Sequence, residues 1–316
     1  MRGGTVRNRR LLSTLFASFL VLATTGLLTG AGIASAAAAG TPRFTCSGSI
    51  KHPGVLAGTY SDVVVRGLCV VNSGAAHVQR DLVVTPGAAL LAAYARDRTT
   101  RGGSSNLTVG GDLTVLRGGT LILGCEAAHF ACVDDPNQKN PTLDSSSSVG
   151  GDLIAYHALG IVVHASTIGG NVVERGGGGG VSCTSTGIFA AFKSPVYSDY
   201  EDNWVGGDLT VAGLRSCWFG ALRNNLRGNA LVAANKLADP DAMEVVSNNV
   251  RRNLSCFGNS PAVQYGDSAG TPNVVRRWAT GECGFNVLQP NPAPTKTTPA
   301  GPLMPISVRA RHHHHH

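Results

Sequence analysis

Charge and aromatic rings are scarce in this sequence: Asp, Glu, Lys and Arg make up 14% of its 316 residues, and Phe, Trp and Tyr only 6%. A nucleic-acid footprint requires Lys and Arg clustered on one face, and no such cluster stands out, so no nucleic-acid partner is expected. Helical periodicity and helix caps do not recur along the body, which argues against an all-α fold. Past the N-terminal stretch no apolar run reaches the length needed to cross a bilayer, so no integral membrane segment is expected in the mature chain. There is no CxxC pair either. A zinc site of the finger type therefore has no spacing to rest on, and neither metal nor cofactor is expected.

What is present begins with a leader. Arg2, Arg7, Arg9 and Arg10 precede an apolar stretch from Leu11 to Ile33, followed by Ala34-Ser35-Ala36. A basic start, an apolar middle and a small-x-small end describe a secretory signal peptide over residues 1–36. Its removal leaves 22 basic against 19 acidic residues, a net charge of +3 instead of +7. All eight cysteines (Cys46, Cys69, Cys125, Cys132, Cys183, Cys217, Cys256 and Cys283) lie in the mature region. An even number in an exported chain favours disulfides, which places the protein outside the cell or at its envelope. Cys125–Cys132 and Cys46–Cys69 are the expected local pairs, and Cys183–Cys217 and Cys256–Cys283 the expected pairs across coils, although spacing alone cannot fix connectivity. Residues 287–316 form a Pro- and Thr-rich tail ending in His312–His316, which reads as a purification tag.

The body between residues 41 and 286 repeats one phrase: an apolar residue, two Gly or Arg, an Asp or Asn, then alternating apolar positions. It occurs as Val109-Gly110-Gly111-Asp112-Leu113, Val149-Gly150-Gly151-Asp152-Leu153, Ile168-Gly169-Gly170-Asn171-Val172 and Val205-Gly206-Gly207-Asp208-Leu209. Leu226-Arg227-Gly228-Asn229, Val250-Arg251-Arg252-Asn253 and a looser Val78-Gln79-Arg80-Asp81 continue it. Self-similarity at roughly solenoid spacing predicts a right-handed parallel β-helix, with disulfide-bearing insertions at 125–148 and 176–204. A β-sandwich with Gly-rich turns would explain the short strands but not the repeat. Asn225, Asn249 and Asn273 stand 24 residues apart, as do Asn229 and Asn253, and stacked amides can bond along a solenoid axis. Glycine at the corners suits positive φ.

Over residues 78–116 and 149–256 these phrases resemble the rungs of bactofilin-type polymer-forming β-helices. Bactofilins are cytoplasmic, have uninterrupted coils and lack this disulfide complement. As a whole the chain is similar to exported β-solenoid proteins of high-GC Gram-positive bacteria, a resemblance that implies no particular activity.

Three features carry candidate chemistry. Gly266-Asp267-Ser268-Ala269-Gly270 matches the hydrolase elbow G-x-S-x-G, but Thr271-Pro272 follows where a helix should start, which favours a plain turn. Acids gather at Asp134-Asp135, at Asp199, Glu201 and Asp202, and at Asp239, Asp241 and Glu244. The last two groups are the candidate catalytic or calcium-binding acids if the protein is a polysaccharide lyase or glycoside hydrolase, and solvated loop acids otherwise. Tyr197, Tyr200, Trp204 and Trp218 provide either a glycan-binding face, with cell-wall or extracellular glycan as partner, or a plug that packs the insertion onto the solenoid. The histidines His52, His77, His129, His157 and His164 are scattered, with no carboxylate at ligand spacing. The leading expectation is a secreted or envelope-associated, non-enzymatic structural or binding module; the alternative is a carbohydrate-active β-helix enzyme.

Overall fold

The computed structural model describes residues 41–264 and 271–285, leaving the leader, the G-x-S-x-G segment and the tail outside the described residues. The chain winds as a parallel β-helix whose coils each contribute to three walls. The first wall holds Leu82–Val84, Leu113–Val115, Leu153–Tyr156, Val172–Arg175, Leu209–Ala212, Ala230–Ala233 and Leu254–Phe257 in register. The second holds Ala89–Ala92, Thr120–Leu123, Gly160–His164, Tyr197–Glu201, Trp218–Leu222 and Met243–Val246. The third is a nine-stranded parallel sheet from Gly58–Tyr60 to Val274–Val275. Near the start the first two walls are continuous, because Val63–Val70 runs through both.

Alternation in short strands decides which residues enter the tube. Val163, Tyr200, Ile168, Val205, Val172 and Leu209, drawn from all three walls, converge on one spot inside the tube. The residues between them on the second wall, Val162, His164, Asp199 and Glu201, therefore point away from the axis. They are buried nonetheless, since every residue of Gly160–His164, Tyr197–Glu201 and Trp218–Leu222 is buried.

The repeated phrase is the corner between the third and first walls. Its Asp or Asn accepts, through Oδ1, the backbone N–H of its counterpart one coil on: Asp81 from Asp112 (2.9 Å), Asp112 from Asp152 (2.8 Å), Asp152 from Asn171 (2.6 Å), Asn171 from Asp208 (2.9 Å) and Asp208 from Asn229 (2.6 Å). Only an acceptor is needed, so Asp and Asn alternate freely. The glycines serve close approach, not positive φ. A Cβ on Gly228 would lie 2.0 Å from Asp208 Oδ1. Positive φ occurs instead at other corners, on glycines such as Gly118, Gly213 and Gly258 and on non-glycine residues such as Ala165, Asp202, Arg223 and Ser247.

The Asn register is offset from expectation. Asn225 pairs with Asn249, and Asn249 with Val274, whereas Asn273 accepts from Asn248 because the last interval is 25 residues. Asn203, Asn224, Asn248 and Asn273 form a fully buried ladder between the second and third walls. In it Asn224 Oδ1 accepts from the Asn203 backbone N–H (3.1 Å) and side-chain amide (3.0 Å), and Asn248 serves Asn224 likewise. Each amide also donates to a carbonyl, as Asn224 does to Tyr200 and Asn248 to Ala221. A carboxylate has no such donor, which explains why this ladder is all Asn.

Four disulfides join Cys46–Cys69, Cys125–Cys132, Cys183–Cys217 and Cys256–Cys283, the pairs expected from the sequence. The insertions are shorter than expected: Ser148 and Tyr197–Val205 belong to the coils. A further excursion at 93–106 escaped the sequence reading. It is sewn to the 125–147 loop by Asp134, whose carboxylate accepts from the Ala95 and Arg96 amides (2.9 and 2.8 Å).

Candidate functional site

Two loops cover the outer face of the second wall. From 176–196, the short helix Gly187–Ala191 lays Phe189 on Gly160, where a Cβ would stand 2.6 Å from the ring, and edge-on to Tyr197. Tyr197 in turn meets Trp218 edge-on across neighbouring coils. From 125–147, Phe130 stacks on His164 with ring centroids 4.4 Å apart. The 176–196 loop is a lid and no groove.

Of the two roles weighed for the aromatics, burial fits the packing plug at three of the four positions. Tyr197 and Trp218 are buried beneath the lid, and Tyr200 points into the tube, so none offers a ring to a sugar. Trp204 alone is half-buried, on the third wall, with the Arg227 guanidinium 5.1 Å above its ring.

Three of the candidate catalytic acids converge under the 125–147 loop. His164, at the end of its strand, lies in register with Glu201, and Val162 with Asp199. His164 Nε2 is 3.2 Å from Asp199 Oδ2, while Nδ1 is 3.5 Å from Glu126 Oε1 and 3.7 Å from Glu201 Oε2. Arg223, one coil on, donates to Glu201 (2.6 Å) and to Asp202 (3.0 and 2.9 Å). His164 and Asp199 have no exposed surface; neither ring nitrogen of His164 has a hydrogen-bond partner among the described residues, while the Asp199 carboxyl interacts with that of Glu201. Burial pushes the Asp199 carboxyl well above the ordinary range. The same cause, reinforced by the Asp199 charge and opposed by His164 and Arg223, lifts Glu201 to about 8. Glu126, His164 and Glu201 present ligand atoms within 4.8 Å of one another.

The remaining acids do other work. Glu244 is buried on the same face, in register with Gly220 and Asp199. Asp239 and Asp241 close a local turn, the Asp241 amide donating to Asp239 Oδ1. Asp135 accepts from the amides of Asn137, Thr142 and Leu143 and shapes the loop. Inside the tube, unforeseen from the sequence, Glu174 is fully buried and accepts from the Ser198 hydroxyl (2.7 Å) and the Tyr200 hydroxyl (2.9 Å). Burial outweighs both bonds and raises its carboxyl to about 7.

A second feature was legible but missed. Val275-Arg276-Arg277-Trp278-Ala279 is a further copy of the corner phrase, and stacking places Arg227, Arg251 and Arg276 in one column and Arg252 and Arg277 in the next. All five are exposed, and among the described residues none pairs with a carboxylate. Where arginine replaces glycine the corner ladder lengthens, to 3.2 Å from Asn253 to Asn229 and 3.3 Å from Trp278 to Asn253. Trp278, 74% exposed, stands beside the columns. No protein-family model matches this chain, and comparison with curated proteins and with solved structures finds no match either.

Proposed function

We propose that this protein is an exported, disulfide-braced β-solenoid that acts as a binding module at the cell envelope, and that its working surface is the arginine corner, which engages an anionic glycan. The carrying observation is the pair of arginine columns. They occupy positions that glycine fills in earlier coils, at the expense of shorter ladder bonds, so packing does not account for them. Coils repeat at about 4.8 Å, so the guanidinium groups form a row suited to carboxylates or phosphates repeated along a polymer. Trp278 flanks that row and offers its exposed ring to a sugar face. Catalysis by the Asp199, Glu201 and Glu244 group is the weaker reading, because those acids are sealed from substrate.

The test is binding of the full chain to polygalacturonate and to neutral dextran at low and raised salt. We expect polygalacturonate binding that weakens steeply with salt, at least tenfold loss in Arg251→Ala/Arg276→Ala, and an unchanged melting temperature. Equal binding to dextran, or no loss in the variant, would overturn the proposal. Polysaccharide turnover abolished by Asp199→Asn would establish the enzyme instead.

A further inference from the structure

The group beneath the 125–147 loop has the composition and shape of a metal site. Five carboxylates, from Glu126, Asp199, Glu201, Asp202 and Glu244, gather about the Arg223 guanidinium, the His164 imidazole and, nearer the surface, that of His129. Buried carboxylates in excess of cations either hold protons or bind a metal. The orphaned imidazole decides between these. A neutral histidine sealed from water ordinarily places at least one ring nitrogen in a hydrogen bond, yet both nitrogens of His164 lack one. Nδ1 faces Glu126 and Glu201, and Nε2 faces Asp199.

That arrangement matches the way proteins hold zinc-like ions. Ligands about 2.1 Å from a tetrahedral ion stand roughly 3.4 Å from one another, and His164 Nδ1 is 3.5 and 3.7 Å from the two glutamate oxygens. A metal-bound histidine typically turns its other nitrogen to a carboxylate, which fixes the ring; Asp199 Oδ2, 3.2 Å from Nε2, fills that place. Arg223 orients Glu201 and offsets the remaining negative charge. We propose that Glu126, His164 and Glu201 bind one divalent transition-metal ion of the zinc type, which pins the 125–147 loop to the solenoid wall. Imidazole with two carboxylates favours such an ion over calcium or magnesium, which prefer all-oxygen shells. Three protein ligands leave a fourth position for water.

The experiment strips the full chain with a chelator and follows its melting temperature as zinc chloride is added. The His312–His316 run binds zinc in folded and unfolded chains alike and so contributes no shift, whereas a native site does. We expect a rise of several degrees with zinc and none with magnesium or calcium. Glu126→Gln and His164→Gln should lose the rise and retain one zinc fewer per chain after dialysis. Glu126 lies on the loop, outside the coils, so Glu126→Gln decides the matter if His164→Gln does not fold. An equal rise in wild type and Glu126→Gln, or no rise in wild type, would overturn the site. Neither result bears on glycan binding at the arginine corner.

Discussion

Glu174 lies inside the tube with two hydroxyl donors and no cation bonded to it. Its carboxyl titrates at about 7 in the fold, against an ordinary 4.5. Between those values the native chain holds a proton that the unfolded chain has released. The group's contribution to stability is therefore complete below pH 4.5 and is lost as pH rises to 7, a change of about 3 kcal/mol. Glu174→Gln cannot ionise, and the Ser198 and Tyr200 hydroxyls can accept from its amide. Urea midpoints across pH 5–8 should fall less steeply in Glu174→Gln than in wild type, and the variant should be the more stable at pH 8. Parallel curves would show that Glu174 does not titrate in the fold. No local pattern marks this residue: on its own strand it is one inward position among apolar ones.

At the scale of elements, two of the asparagine ladders differ in what they ask of the side chain. The corner ladder is half-buried and needs only an acceptor, so a lost member exposes an N–H that water can reach. The inner ladder is buried and uses both ends of each amide. Replacing Asn248 with Leu strands the Asn224 N–H and removes the side-chain amide bonds to Asn224, Ala221 and Asn273, at about 1–3 kcal/mol for each buried group left unpaired. Asn248→Leu should therefore cost at least about 3 kcal/mol, and Asn229→Leu about 1 kcal/mol, in chemical denaturation. Equal losses would refute the distinction. The 24-residue spacing selected bonded pairs at Asn229–Asn253 and Asn235–Asn259, but the inner ladder's Asn224 and Asn248 lie one residue before the Asn225 and Asn249 that it also selected. The spacing follows the outward column of Asn225 and Asn249; the inward one lies beside it.

Across the described coils, strand pairing joins each coil only to its neighbours, so stability is largely a sum of local interfaces and the ends are the weakest places. The C-terminal end is closed by three devices. Glu282 accepts from the Asn259 backbone (2.9 Å) and amide (2.7 Å), Ala279–Gly281 pairs with Leu254–Phe257, and Cys256 is bonded to Cys283. In Cys256→Ser/Cys283→Ser the amides of 271–281 should lose hydrogen-exchange protection while those of Leu153–Tyr156 and Tyr197–Glu201 keep theirs. Loss of protection along the whole tube would mean that the coils unfold as one unit.

The sequence by itself determined the coil. An acceptor behind two small residues, then inward apolar alternation, is a local requirement repeated at every turn, and it is written in Gly111-Asp112-Leu113 and Gly207-Asp208-Leu209 without reference to distant residues. The cysteine pairs were legible for a related reason, since stacking brings cysteines of neighbouring coils within disulfide reach. The arginine columns could also have been read, from Val-Arg-Arg at 250–252 and again at 275–277. Only the tertiary structure decided the fate of the outer face. Whether Tyr197 and Trp218 meet a sugar or Phe189 depends on where an inserted loop folds back, and no period encodes that. The same holds for His164, which has no ligand-like neighbour in sequence. Its partners Glu126, Asp199 and Glu201 reach it through the register of strands 37 residues apart and through a loop that no repeat predicts.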